Sequence, residues 1–227
     1  AMAGVHGQAA FIPHGAATPE LEFVVDQVAR VQGEGVLEVA LTRKGVSMGA
    51  PLLFPLAGHA GAFRPVELDH ELNAYYPGRG EQGLADGRLG SADFRDGSWQ
   101  AVQGGNMGVT IALDDALLVD SLSMQVYRYQ DAWIFLPDSV RFQWSLDGEA
   151  WEGEWLVRPF AGGRSAFEPN DLQDVQRVAV PVGKKARWVR FEAVNPGPCP
   201  DWHDAASSAT WLFLDELVVH SADTSRP

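Results

Sequence analysis

The sequence predicts an all-β protein of antiparallel strands, and three observations carry that prediction. Apolar and polar residues alternate with period two in many segments, while helix signals are scarce. Most alternating runs are bounded by Gly, Pro, Asn or Asp, the residues that punctuate strands with turns. The runs are rich in Val, Ile, Phe and Trp, whose branched or flat side chains suit a pleated, half-buried surface. Short strands separated by such turn signals indicate a sandwich or a barrel.

In chain order, Glu20 to Val28 (ELEFVVDQV) and Val36 to Arg43 (VLEVALTR) are the first strand candidates. APLLFPL follows, where Pro51 and Pro55 confine the segment to an edge or a connector. The composition shifts at Gly58 to Arg64 (GHAGAFR), which separates a small N-terminal β segment, residues 1–62, from a larger domain, residues 63–227. In that domain GVTIALD and LLVDSLSMQVYRY are strands. SVRFQWSLDGEAWEGEW then reads as a hairpin, because the Asp147-Gly148 pair between Trp144 and Trp151 favours a tight turn. VQRVAVPVG and ARWVRFEAV supply two more strands. The N-terminal segment holds too few strands for a complete sandwich, so it packs on the larger domain or belongs with strands from elsewhere.

The chain has 227 residues, of which 46% are hydrophobic and 21% charged, a globular composition able to bury an ordinary core. A formal charge of −13 argues against nucleic acid, whose phosphates call for clustered Lys and Arg. No apolar run approaches the roughly 20 residues of a membrane-spanning helix. Cys199 is the single cysteine, so neither an internal disulfide nor a cysteine-cluster zinc site can form; PGPCPDW marks it as a buried structural residue.

The segment DGRLGSADFRDGSWQAVQG, Asp86 to Gly104, raises the question of a cation. Asp86, Ser91, Asp93 and Asp96 lie within eleven residues, with Gly87, Gly90 and Gly97 to allow tight curvature. Calcium takes six to eight oxygens from carboxylates, hydroxyls and backbone carbonyls, which is the donor set such a loop offers. The competing reading is a long turn whose aspartates bond nearby backbone amides.

Three segments in fixed order carry a family resemblance: YPGRGEQGLADGRLGSADFRDGSWQAVQG, DAWIFLPDSVRFQWSLDGEAW and CPDWHDAASSATWLFLDELVV. Together they span Tyr76 to His220 and resemble the discoidin-like (coagulation factor 5/8 type C) domain. The similarity is greatest to the module at the C-terminus of bacterial β-hexosaminidase-type glycoside hydrolases, related to family 32 carbohydrate-binding modules. Val36 to Phe54, with LTRKG, is similar to the last strands of the small immunoglobulin-like domain that often precedes it.

The resemblance implies an antiparallel jelly-roll β-sandwich with sugar-recognising loops at one end, a structural calcium ion beneath them, and a secreted, periplasmic or cell-surface location. It implies calcium ligands at Asp86, the Arg88 carbonyl, Ser91 (where the family usually has threonine), Asp93 and Glu216. GSADFRD inserts residues before Trp99 relative to the shorter family loop. LDDALL stands where relatives have a turn, which places Asp114 and Asp115 at a hairpin.

Sugar binding pairs an aromatic platform for the apolar C–H face with planar polar groups for the hydroxyls. Of eight tryptophans, Trp144, Trp188 and Trp211 fall inside strand patterns and are expected to pack, whereas Trp133 and Trp202 fall in polar loops. The candidate ligand-binding residues are therefore Arg128, Tyr129, Asp131 and Trp133 in one loop and Trp202 and His203 in the other. Adjacent acids such as Asp114–Asp115 or Asp215–Glu216 point to opposite faces of a strand and cannot by themselves flank a glycosidic bond. No nucleophile elbow, HExxH or phosphate-cradling loop occurs. The expectation is a non-catalytic, secreted accessory module that binds carbohydrate of galactose or N-acetylhexosamine type, beside a neighbouring catalytic domain. The alternative is a structural or protein-interaction module without a sugar site; docking on a membrane is disfavoured by the acidic balance.

Overall fold

A computed structural model describes residues 33–39, 42–43, 46–47, 49–160, 169 and 172–221. The strand expected at Glu20 to Val28 lies outside these residues. The described residues form β1 (Gly33–Val39), β2 (Thr42–Arg43), β3 (Val46–Ser47), β4 (Leu52–Gly58), β5 (Val66–Leu68) and β6 (Gln100–Gln103). There follow β7 (Met107–Arg128), β8 (Ser139–Ser145), β9 (Glu152–Val157), β10 (Asp174–Val194) and β11 (Trp211–His220). β1 pairs with β4 and β2 with β3, all antiparallel. APLLFPL thus enters a paired strand: Pro51 precedes β4, and Pro55, opposite Val36 of β1, turns only its carbonyl to the other side, where it accepts from the Leu89 amide at 2.9 Å.

The fold is organised by one long ribbon. β7, 22 residues, pairs antiparallel with β10, 21 residues, from Met107↔Ala193 to Asp174↔Arg128. Pairing is interrupted where Ala112 to Leu117 on β7 faces Trp188 to Ala186 on β10, so several residues oppose one. Surplus residues leave a ladder unpaired and bend the strand. On one side of the bend the ribbon is flanked by β5 and by β8, which carries β9; on the other it is flanked by β11, which carries β6. The ribbon passes from one layer of an antiparallel sandwich into the other. Asp114 and Asp115 are exposed at this bend inside a single strand, which corrects the expected hairpin turn: a bulge needs the same polar residues as a turn but leaves the chain direction unchanged.

Alternate residues of both layers meet in one core. Val109, Ile111, Leu122, Met124 and Val126 of β7 join Val189, Phe191 and Ala193 of β10, Val140, Phe142 and Trp144 of β8, and Leu212, Leu214, Leu217 and Val219 of β11. Phe142 and Phe191 are directly opposed across the strands with ring centroids 4.9 Å apart. The hairpin expected from SVRFQWSLDGEAWEGEW is present as β8–β9.

A second cluster covers the outer face of the layer containing β11. Phe94 and Trp99 from the glycine-laced segment pack on Tyr127 of β7 and Phe213 of β11. The Trp99 and Tyr127 rings meet edge-on at 5.0 Å. The segment therefore serves packing: Phe94 and Trp99 lay two aromatic rings over a face that would otherwise be wet, each worth about 2–3 kcal/mol when fully buried.

Candidate functional site

β11 carries two consecutive acids, Asp215 and Glu216, inside the apolar run LFLDELVV, and both are fully buried. They fall where Leu214↔Val126 and Leu217↔Met124 leave two residues opposite one, a bulge that takes them out of the regular ladder. A buried carboxylate is tolerated only with donors around it. Glu216 Oε1 accepts from Gly87 N–H (2.7 Å) and from His59 Nε2 (2.6 Å), and Oε2 from Asp86 N–H (3.3 Å). His59 Nδ1 accepts from the amides of Gly61 and Val219, both at 3.1 Å, so the ring proton must reside on Nε2 and point at Glu216. Burial drives the His59 pKa down to about 3, against the pull of the Asp86 charge. Burial pushes Asp215 and Glu216 well above the usual carboxylate range, with neighbouring acids adding to the effect.

The positive member is Arg79. It grips Asp86 through Nε and Nη2, the latter at 2.8 Å, and Nη2 also donates to the Arg88 carbonyl (2.8 Å) and reaches Asp215 Oδ1 at 3.4 Å. Burial works against the guanidinium charge, but the Asp86 bonds and the surrounding acids outweigh it and raise the Arg79 pKa. Asp215 Oδ2 accepts in addition from Gly90 N–H. These contacts tie together the end of β4, the turn at Gly80 to Gly90 and β11; the Ala57 and Leu89 amides add bonds to Gly87 and Pro55 carbonyls.

The oxygens expected to bind calcium divide between this network and the loop beside it. Asp86, the Arg88 carbonyl and Glu216 do converge, but each accepts from N–H donors, and the cation among them is a guanidinium. Ser91 and Asp93 turn to their own loop: Asp93 N–H donates to Ser91 Oγ (3.1 Å) and Arg95 N–H to Asp93 Oδ1 (3.0 Å). Asp96 accepts from the Ser91 and Ser98 amides at 2.8 and 2.7 Å. Calcium needs six or more free oxygens, and among the described residues no three His, Cys, Asp or Glu are gathered to hold a metal. The residues present do not fit the ion; the turn reading describes Ser91, Asp93 and Asp96. Sequence reasoning missed His59, Arg79 and Asp215.

The residues expected to bind sugar lie around the C-terminal end of β7, where the Trp133 carbonyl accepts from the Trp211 amide at the start of β11. Arg128 is buried and forms a two-pronged pair with Asp174, Nε–Oδ1 2.9 Å and Nη2–Oδ2 2.8 Å, which fixes the start of β10. Tyr129 is half-buried against Phe94, centroids 6.1 Å apart. His203 is buried; its Nδ1 accepts from Ala205 N–H (2.9 Å) and its Nε2 donates to the Gln130 carbonyl (2.8 Å). Arg128 and His203 hold the loops rather than face solvent. Asp131, Trp133 and Trp202 are exposed, the two tryptophans by 37% and 45%.

The same Gln130 carbonyl that receives His203 also accepts the Trp133 amide at 2.7 Å, so one atom joins both loops. Trp133 stands at φ 64, a left-handed conformation that is costly for a bulky residue, about 1–3 kcal/mol. It is held there by its bonds to Gln130 and Trp211. Trp202 rests beside Phe135 and His203, with centroids 6.4 and 5.7 Å away. The structure thus presents two aromatic faces from loops fixed by buried polar bonds.

No family model matches the sequence, and no curated protein matches it. Similar solved structures are lectin and carbohydrate-binding modules. They include the lectin domain of lectinolysin complexed with Lewis B antigen, at 15% identity over 72% of this chain and 96% of that chain, TM-score 0.46. A fucose-binding module of Streptococcus pneumoniae, SpX-3, matches at 12% identity over 73% and 98%, TM-score 0.45. GH31 CBM32-2 bound to GalNAc matches at 12% over 70% and 99%, TM-score 0.44. The last is of the kind the sequence resembles. The sandwich assigned above rests on the strand pairings themselves.

Proposed function

We propose that the chain is a non-catalytic carbohydrate-binding module that works outside the cytoplasm. The observation that carries this reading is the presentation of Trp133 and Trp202 on loops joined at the Gln130 carbonyl, with Trp133 held in a left-handed conformation where the 3-10 turn Gln130–Ala132 ends. Strain of this sort gathers where function fixes a side chain. A fixed aromatic face stacks on a pyranose at little entropic cost, and exposed Asp131 beside it can accept from hydroxyls. The acids of β11 are sealed in the Arg79 and His59 network, which supports a module without hydrolytic chemistry of its own. Calcium has no place in the proposal, because the oxygens that would bind it are engaged.

The test is a glycan array followed by titration of the best galactose- or N-acetylhexosamine-type ligand. Binding weakened roughly tenfold or more by Trp133→Ala and by Trp202→Ala, in folded protein, supports the reading. An array without binding, or affinity indifferent to both substitutions, overturns it in favour of a structural or protein-interaction module.

A further inference from the structure

The outer face of the layer opposite β11 holds a second collection of sugar-suited groups, none of them from the loops of Trp133 and Trp202. Cross-strand pairing places Glu67 of β5, Thr110 of β7, Arg190 of β10 and Gln143 of β8 in one row, each directly opposite the next: Glu67↔Thr110, Thr110↔Arg190, Arg190↔Gln143. Their neighbours in sequence, Val66, Leu68, Val109, Ile111, Val189, Phe191, Phe142 and Trp144, pack in the core, so the row itself faces outward. The row continues to Gly153 of β9, where a Cβ would meet the Phe142 carbonyl at 2.6 Å and Gln143 at 2.9 Å. The missing side chain keeps that end of the row low.

Trp188, two residues from Arg190 on the same face, and Trp151, from the β8–β9 turn, wall the row on one side. Together these side chains and Gly148 line a cleft of about 400 Å³, within the size range of small-ligand sites. Each wall is fixed. Asp147 accepts from the Glu149 and Ala150 amides, both at 2.8 Å, and Ser145 Oγ donates to it at 3.0 Å, which sets the turn. Trp151 Nε1 donates to the Gly148 carbonyl at 3.0 Å, and Gly148 lies over the Trp188 ring at a positive φ of 80. Arg190 is held by Asp69 through both terminal nitrogens and by Thr110 Oγ1 at 3.1 Å.

We propose that this cleft is a second saccharide site, taking a neutral pyranose unit of a longer glycan. The ligand class is that of the function proposed above; the surface is a different one. The half-buried Trp151 offers an apolar face for ring C–H groups, backed by Trp188, whose ring carries the Arg187 guanidinium 4.9 Å from its centroid, and the Gln143 amide and Glu67 carboxylate supply planar partners for hydroxyls. An anionic ligand is disfavoured, because Asp69 already neutralises Arg190 and Glu67 adds negative charge. An apolar ligand is disfavoured by the polar floor. A cleft open across the strands admits the middle of a chain, whereas loops at a sandwich end meet a terminus, so one module can hold two points on one polymer.

The experiment follows the indole N–H resonances of the full chain while neutral hexose and N-acetylhexosamine oligosaccharides of four units are added to millimolar concentration. The Trp151 and Trp188 signals are expected to shift saturably, and to do so equally in a Trp133→Ala, Trp202→Ala double variant. Trp151→Ala and Glu67→Ala are expected to weaken that titration roughly tenfold each in folded protein, the exposed Glu67 leaving the melting temperature in place. Absence of any shift at Trp151 and Trp188 overturns the cleft, as does a titration insensitive to both substitutions. Because the Trp133 and Trp202 signals report separately, failure of the end-loop site and failure of the cleft are read from different resonances.

Discussion

Arg79 and Asp86 meet through two parallel N–H···O bonds, and the Arg79 nitrogen nearer Asp215 also binds the Arg88 carbonyl, so one guanidinium joins a turn to a strand distant in sequence. Removing one partner of a buried pair leaves the other charge uncompensated, at about 3–5 kcal/mol. Arg79→Ala is expected to lower the melting temperature by many degrees. Arg79→Lys restores only part, since an ammonium cannot make the planar two-pronged contact. Thermal melts of the two variants decide it, and excess EDTA is expected to leave the wild-type curve where it was.

His59 gives the network a dependence on acid. Its folded-state pKa of about 3 lies below the ordinary 6.5, so the unfolded chain takes up a proton that the folded chain refuses. Stability from this residue is complete above pH 6.5 and is lost as pH falls toward 3; at pH 4 the loss is about 3 kcal/mol. Asp215 and Glu216, raised by burial, act with the opposite sign and favour the folded state as pH falls. Comparison with His59→Gln isolates the histidine: the wild type's advantage at pH 7 should shrink between pH 6.5 and 4 in paired denaturant titrations.

Gly90 is confined by Trp99. A Cβ at residue 90 would stand 2.6 to 2.8 Å from the indole of Trp99, which is buried against Tyr127 and cannot swing aside. Gly90→Ala is expected to cost about 1–3 kcal/mol by overpacking. Trp99→Ala, which opens a cavity instead, costs about 3–5 kcal/mol. Urea midpoints with unchanged slope would show both effects as losses of folded stability.

Trp133→Gly separates the two roles of its position. Glycine adopts φ 64 without strain, so the melting temperature should hold or rise by a degree or more, while affinity for the array-selected sugar falls. Stability and affinity that decline together would mark Trp133 as a packing residue.

The alternating strands were legible because one face of each is buried and the other is wet. GVTIALD and LLVDSLSMQVYRY read as strands, yet nothing in them shows their union in one strand: Asp114 and Asp115 look the same in a bulge as in a turn. At the site, the meeting of Asp86, the Arg88 carbonyl and Glu216 followed from the resemblance, but their cation did not. A signal was present. Two successive acids inside LFLDELVV demand buried donors, and Arg79 and His59 bracket the approach to Asp86. Which base answers them depends on the path of a turn, and spacing along the chain does not encode that path. Arg128 and His203 show a related limit of the sequence: polar residues near an exposed tryptophan serve equally to fix its loop or to touch its ligand.

The continuous ribbon of β7 and β10 has a mechanical consequence. Because the same two strands run through both layers, neither layer can be peeled away while the other stays intact. Force applied at either end of the sandwich is shared by the whole body.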